Sequence, residues 1–463
     1  MRAILGFLLT LCLAAPAAAQ DQPHQRQARG IYERLISFRT AAGHNQVPAM
    51  ANYIAETLRA GGVPADDIVM LPHEQTVAML VRIEGRDRMA RPIARPILFS
   101  GHMDVVDARP EDWERDPFRL NEENGYFFGR GTGDNKAGIA AMVSTILRLT
   151  ASGRQPRTTM VFAFIGDEET GMATTRLVAA HPWVAGARYA INTDAGGGGL
   201  DAQGRATAYG IQGAEKTFAS FRVLVRNPGG HSSRPRPDNA IYELAQALLR
   251  IQAIRFPVMT NAITLASMRA SAATMPGPAG QLLARFAANP DDAEARAALL
   301  RDPDFVRQVS TTCVATMLEA GHAENALPQR AQATVNCRIF PGMTVDQVRA
   351  MLVEAVANPQ AQVEVMGSPT VSPVSEPIPE VTAAITRSIH ARHPGVPITP
   401  YLESGGTDGL VYRAAGIPTF ASSGIFMRES DMFFHGLNER IPVAAFYAAI
   451  EHIHDLAVDL AVE

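Results

Sequence analysis

The residues most able to do chemistry fall in a few short stretches. They are His102-x-Asp104, Asp134 within Gly129-Arg130-Gly131-Thr132-Gly133-Asp134-Asn135-Lys136, the pair Glu168-Glu169, Asp194, and His435 before Gly436. A single acid of this kind is ordinarily a helix cap or a solvated loop charge. As a set they mix imidazole and carboxylate donors, which suits Zn²⁺, with Mn²⁺ or Co²⁺ as substitutes. Two ions about 3.5–4 Å apart need a bridging carboxylate and further ligands on each side. His102, Asp134, Glu169, Asp194 and His435 could meet that need. No cysteine stands near them, so a thiolate site is excluded. Neither Gly-x-Ser-x-Gly nor His-Glu-x-x-His occurs in the chain, which leaves serine-hydrolase and zincin chemistry without a foothold. Gly196 to Gly199 lacks a following Lys-Ser/Thr and reads as a turn rather than a phosphate cradle.

Most of these stretches follow a short apolar run. Pro96 to Phe99 runs into Gly101-His102, Met160 to Ile165 into Gly166-Asp167-Glu168-Glu169, and Tyr189 to Ile191 into Asn192-Thr193-Asp194. Ile417 to Phe420 stops at Ala421-Ser422-Ser423-Gly424. Continuous runs of this length predict strands buried on both faces, as in a parallel or mixed sheet covered by helices. Tyr32 to Ser37, Met50 to Ala60 and Ala137 to Leu149 read as helices, giving an α/β alternation. In such folds ligands sit beyond the carboxyl ends of the strands, where these acids and the histidine collect.

The texture changes near Gly213. Phe218 to Val225 alternates as a half-exposed strand, Asn239 to Ile251 reads as a helix, and Cys313 to Leu318 and Ala331 to Ile339 as strands. Val345 to Ala355 is a second helix and Val363 to Met366 a last strand, completing βαββαβ. Ser271 to Val309 reads as an extra helical stretch. The expected organisation is a catalytic domain of residues 20–212 and 370–463 with an inserted α+β, ferredoxin-like domain of residues 213–369. A hairpin centred near Asn325 sets Cys313 and Cys337 opposite each other. Cross-strand Cβ atoms are roughly 4.5–5.5 Å apart, and a disulfide needs ~3.8 Å, so a bond and a thiol pair both stay open.

Taken in order, the motifs resemble the di-zinc exopeptidase and deacylase family of glutamate carboxypeptidase, acetylornithine deacetylase, succinyl-diaminopimelate desuccinylase and the aminoacylases. The motifs are Gly101 to Asp104, Gly131 to Lys136, Asp167 to Gly171, Asn192 to Asp194, Gly229-Gly230-His231-Ser232-Ser233 and Phe434 to Gly436. The resemblance spans almost the whole chain after the first residues. It implies two Zn²⁺ ions, with His102 and Asp194 on one, Glu169 and His435 on the other, and Asp134 bridging. Glu168 would be the general base and Asp104 would orient His102. A cis peptide often follows the bridging aspartate, which makes Asp134-Asn135 a candidate. His231 would donate to the oxyanion. Asn325 and Arg338 match the positions that grip a substrate carboxylate, and Gly405, Gly406 and Thr407 would offer N–H groups nearby. Arginine suits that task because its planar fork bonds carboxylate bidentately. The implied activity is hydrolysis of an amide next to a free carboxylate, in a small peptide or an N-acyl amino acid. A dipeptidase or aminopeptidase of the same fold is the alternative, and a non-catalytic binding protein the more distant one. The inserted domain pairs with a second copy in relatives, implying a homodimer with His231 acting across it. The helical stretch could instead block that surface and leave a monomer.

Composition agrees with a globular enzyme. Across 463 residues, 42 basic and 46 acidic side chains give a net charge of -4, no electrostatic case for nucleic acid or an anionic membrane. Only Lys136 and Lys216 are lysines. Met1-Arg2, the apolar Ala3 to Leu13 and Ala17-Ala18-Ala19 form a signal peptide of residues 1–19. The chain is then expected to be exported, periplasmic or secreted, with no membrane span after cleavage. Cys12 could suggest a lipoprotein, but Leu11 before it is larger than that site accepts.

Overall fold

The structure is a computed structural model that describes residues 22–86 and 95–462. The proposed signal segment lies outside the described residues. Among them, no helix is long and apolar enough to cross a membrane.

A ten-stranded mixed sheet forms the frame. At its centre, Met160–Ile165, Ile97–His102, Tyr189–Asn192 and Thr419–Ala421 lie side by side and parallel. All four are fully buried, as their unbroken apolar runs predict. The register sets His102 beside Ile165 and Ser100 beside Asn192, so the strands end at one level. Residues just beyond those ends therefore meet in space. Helices Pro23–Ile36, Val47–Ala60, Lys136–Ser152, Pro379–Arg392 and Val443–Ala461 pack on one face. Ala173–Ala180 and Gly409–Ala414 cover the other. Glycine is required where helix and sheet meet: a Cβ at Gly138 or Gly101 would stand 2.3 or 2.5 Å from Thr193 Oγ1.

Strand Ala206–Glu215 of this sheet is followed directly by Thr217–Arg226 of a second, four-stranded antiparallel sheet. Its strands run Thr312–Ala320, Arg330–Ile339, Thr217–Arg226, Gln362–Met366 across the sheet. Helices Ala240–Gln252 and Val345–Val356 bury Phe221, Val223, Val335 and Ile339 on one face. This is the expected βαββαβ lid. Cys313 pairs with Cys337 in the predicted register, and the two form a disulfide.

The helical insertion differs from its expected bounds. It begins at Ala262, not Ser271, as Ala262–Thr274, Pro278–Ala288, Ala293–Leu299 and Pro303–Val309. Asn261 starts it by accepting the Thr264 amide at 2.9 Å, a capping signal that the small, polar residues around it obscure. Both lysines prove to be buried tethers. Lys136 Nζ donates to the Phe38 carbonyl at 2.7 Å, and Lys216 Nζ to the Ser310 carbonyl at 2.6 Å, where the lid joins the frame. Burial first, then Arg307 and Arg338, lowers the Lys216 pKa to about 8.

Candidate active site

His102 closes its strand with the side chain fully buried. Its Nδ1 lies 2.9 Å from the backbone carbonyl of Asp104. A carbonyl only accepts, so Nδ1 carries a hydrogen, and Nε2 faces Asp134 Oδ1 at 2.8 Å and Asp194 Oδ1 at 3.2 Å; burial opposes the charged ring, but Asp194, Asp104 and Asp134 together hold its pKa well above the ordinary value. An Nε2 so placed donates a proton to these carboxylates in the free protein and would give its lone pair to a metal ion in the proton's place. A metal-bound histidine commonly donates its other N–H in this way. On the opposite side, His435 Nε2 stands 3.0 Å from Asp134 Oδ2 and 3.1 Å from Glu169 Oε1. Asp134 thus gives one oxygen to each histidine, as a bridging carboxylate must. The peptide after it, Asp134-Asn135, is cis.

Charge points the same way. Asp134, Glu168, Glu169 and Asp194 gather around the two imidazoles. Ligand atoms of His102, Asp134 and Glu169, and likewise of His102, Glu168 and Asp194, lie within 4.8 Å of one another. Burial raises Asp194 to about 7, with Asp134 and Glu169 adding to the rise against the pull of His102. Burial also holds Glu168 well above its ordinary range; His102 opposes, while Asp194, Asp408 and Glu169 reinforce it. Burial pushes Asp134 up as well, but its bonds to the two histidines outweigh that and lower it. Buried carboxylates that cannot all stay charged alone are what divalent ions stabilise. The residues present therefore fit a pair of metal ions.

Asp104 lies beside the His102 ring N–H, as expected, and has a second role. Its carboxylate stands 3.5 Å from His102 Nδ1 but accepts the amides of Glu168 and Glu169 at 3.1 and 3.0 Å. It fixes the turn that presents both glutamates, while its carbonyl orients the ring. Asp167 accepts the amides of Ala173 and Thr174 and starts the helix beyond.

Sequence reasoning missed Glu439. Fully buried, it accepts the amides of Gly131, Gly133 and Asp134 at 3.0, 2.9 and 3.2 Å and pairs with Arg130 at 2.7 Å. It shapes the loop that holds out Asp134. Asn135 and Thr193 then tie this loop to the one carrying Asp194, through side-chain bonds of 2.9 and 3.0 Å. One acid four residues after His435 offers no periodic signal from which to read this.

The expected substrate residues divide. The amide of Gly405 donates to Glu403 at 3.1 Å, and Thr407 gives its amide and hydroxyl to buried Glu215 at 2.9 and 2.7 Å. Those groups are already satisfied within the chain, which corrects the expectation of several free donors and leaves the Gly406 amide. Glu215, also missed, pairs with Arg413 at 2.7 Å and so locks this loop to the start of the lid.

His231 and Asn325 lie together and exposed on the lid, where Gly230–His231 pairs with Ala326–Leu327 and the Ser232 amide donates to the Asn325 carbonyl at 3.0 Å. The Ser233 amide donates to His231 Nδ1 at 3.2 Å, so the neutral ring carries its hydrogen outward on Nε2. Half-buried Arg338 stacks its guanidinium 4.8 Å from the Phe218 ring centre. Among the described residues, no hydrogen bond or ion pair joins these three to the carboxylate cluster.

An α/β frame with an inserted lid, and a cluster fitted to divalent ions beyond the strand ends, define a metal-dependent hydrolase. A family model for peptidase family M20/M25/M40 matches residues 98–459, and the chain belongs to that family. It resembles the N-fatty-acyl-amino acid synthase/hydrolase PM20D1 of Homo sapiens, with 29% identity over 387 residues, 81% of this chain and 76% of that protein. The probable carboxypeptidase S-like 2 of Dictyostelium discoideum is 24% identical over 395 residues, 78% of this chain and 71% of its own. Among solved structures, the M20 family metallo-carboxypeptidase Sso-CP2 from Sulfolobus solfataricus matches at a TM-score of 0.67 and 20% identity, covering 92% of this chain and 97% of that one. Human carnosine dipeptidase 1 matches at 0.64 and 16%, covering 94% and 96%. The protein is thus a carboxypeptidase-like metallo-exopeptidase in fold and family.

Proposed function

We propose that this protein hydrolyses the amide bond of N-acyl amino acids, or the last bond of small peptides, reading the free carboxylate of the released residue. The observation that carries the reading is Asp134 with one oxygen toward each histidine, beside a half-buried Glu168. Ions held by His102, Asp134 and Asp194, and by Asp134, Glu169 and His435, would supply Lewis acidity that acidifies a water and polarises the acyl carbonyl; zinc suits the donors best. Glu168 takes the proton of the attacking water and returns it to the leaving amine. Burial, which raises its proton affinity, suits it to both steps. Asp104 holds its backbone in place. His231, with its outward N–H, donates to the oxyanion from a lid brought over the cluster. Arg338, on the lid face away from the helices, receives the carboxylate.

The names of the relatives, an N-fatty-acyl-amino acid hydrolase and a carboxypeptidase, favour an acyl or peptidyl substrate with a free carboxylate. A dipeptidase reading needs an acid for a free amine, and Glu403 near Arg338 already accepts the Ser404 and Gly405 amides. The reading includes export of the chain, with residues 1–19 removed, to the periplasm or medium; the Cys313–Cys337 disulfide favours an oxidising compartment. It also includes a homodimer through the lid. The exposed Tyr242 and Leu249 on its helix and Val314, Met317 and Leu318 on its edge strand favour one. The test compares N-acyl amino acids, their carboxamides, and dipeptides with free or blocked amines. Hydrolysis that disappears when the carboxylate is amidated is expected; a requirement for a free amine would overturn the reading.

A further inference from the structure

A line of polar groups runs from the outer helices to the loop that carries Asp194. Ser388 stands on helix Pro379–Arg392, His452 and Asp455 on helix Val443–Ala461, and Tyr209 on strand Ala206–Glu215. Ser388, His452, Ser422 and Tyr209 are all buried. Asp455 lies at the outer end, its side chain 38% exposed and paired with Arg392 at 2.7 Å.

The direction of every bond follows from that end. The Asp455 carboxylate only accepts, so the Ser388 hydroxyl gives it its one hydrogen at 3.1 Å. His452 Nδ1, 2.8 Å from Ser388 Oγ, must then donate, and the neutral ring accepts at Nε2. Ser422 donates to Nε2 at 2.8 Å, Tyr209 donates to Ser422 at 2.7 Å, and the Gly424 amide donates to the Tyr209 oxygen at 3.0 Å. One carboxylate thereby sets the polarity of the whole chain. Without it the ring can carry its hydrogen on Nε2. The hydroxyls then reverse, and the Tyr209 O–H is turned against the Gly424 N–H.

The inner end closes on the cluster. The Ser422 amide donates to the Asn192 carbonyl at 2.9 Å, and the Ser423 hydroxyl donates to the Gly196 carbonyl. These bonds clamp the backbone on both sides of Asp194, whose own amide donates to the Asn192 side chain at 3.0 Å. Gly424, at a φ of +73°, lets the chain pass, since a Cβ there would stand 2.6 Å from the His452 Cβ.

We infer that the chain from Asp455 through Ser388, His452, Ser422 and Tyr209 is a positioning device that fixes the loop presenting Asp194, and so sets the affinity for the ion held by His102 and Asp194. The inference rests on the proposed ion sites and adds residues that lie outside every motif of the cluster. A buried chain with all its members satisfied acts as a unit, so a loss at the far end is felt at the near one. The helices supply their own control. Arg387 and Asp459 join the same two helices through a bidentate pair at 2.8 Å, outside the chain. Asp455→Ala and Asp459→Ala each remove one ion pair between the helices, and only the first releases the chain.

The test titrates the purified protein with zinc against a competing chelator, with His435→Ala marking which affinity belongs to the other ion. Asp455→Ala and Tyr209→Phe are expected to weaken the ion of His102 and Asp194 by about tenfold, the low end of what lost supporting contacts cost. The other ion keeps its affinity, and Asp459→Ala alters neither. Unchanged affinity in Asp455→Ala, the same loss in Asp459→Ala, or equal weakening of both ions would overturn the inference. Asp455 is exposed enough that its substitution carries the test even if Tyr209→Phe fails to fold. If the wild type binds no zinc, the proposed ion sites fail instead, and amide hydrogen exchange of residues 192–198 decides. Faster exchange in Asp455→Ala than in Asp459→Ala supports the chain, and equal exchange rejects it.

Discussion

Glu439→Gln removes one charge from beneath the metal cluster without changing the shape of the side chain. In the native structure this carboxylate accepts three backbone amides of the Gly131–Asp134 loop and pairs with Arg130, which is itself buried. Glutamine keeps one acceptor oxygen but sets an NH₂ against amides that also donate. It leaves the Arg130 guanidinium buried without its counter-charge. Breaking a buried pair in this way costs about 3–5 kcal/mol. In a domain of a few hundred residues each kcal/mol shifts Tm by roughly 2–4 °C, so a fall of roughly 6 °C or more is expected. Asp134 is the last residue of the cradle, so a loosened loop also misplaces the bridging oxygens. Loss of such supporting contacts typically lowers metal affinity 10–100-fold. Scanning calorimetry with excess zinc and competitive chelation read the two effects separately. A Tm within about 2 °C of wild type, with unchanged zinc affinity, would refute the reasoning that Glu439 holds the loop.

Other outcomes follow from the same contacts. His452 is fully buried between Ser388 and Ser422, and burial lowers its pKa to about 3. The unfolded chain then binds a proton that the folded one refuses, so stability falls as pH drops below about 6.5. The His452 share of that loss is roughly 2 kcal/mol between pH 7 and 5; urea unfolding of His452→Gln should show a correspondingly shallower pH dependence, and identical slopes would reject the assignment. Titration of the unfolded, unreduced mature chain should find no free thiol, whereas two would exclude the Cys313–Cys337 bond. Co-refolding inactive Glu168→Gln with inactive His231→Ala should restore activity, because one site in a mixed dimer has both groups. No recovery from a protein of monomeric mass would place His231 in the same chain or outside catalysis.

The parts of the site that lie beyond strand ends were legible because two regularities coincide there. Uninterrupted apolar runs locate the central strands, and polar residues that stop a run must sit at the edge of the sheet. His102, Glu168, Glu169 and Asp194 follow from that alone, and the lid from its period-two alternation. Asp134 and His435 sit on loops and depended on matching motifs. Glu215 and Glu439 were not legible, since a buried acid whose partners are backbone amides looks in sequence like any solvated one. For the same reason the sequence does not show that the Thr407 amide and hydroxyl are held by Glu215. The early start of the helical insertion was hidden by the mixed sequence around Asn261, where the cap has more to say than periodicity.

The arrangement of Asp134 between two ion-binding sites, with Glu168 as the base, is tested most directly by turnover of Glu168→Gln in a preparation of known ion content. Glutamine keeps the size of the side chain but cannot accept the proton. The expected result is two ions per chain and a kcat lowered by about 10²-fold or more. Turnover above about a tenth of wild type with both ions bound, or a loss of turnover that merely follows a loss of ions, would contradict it.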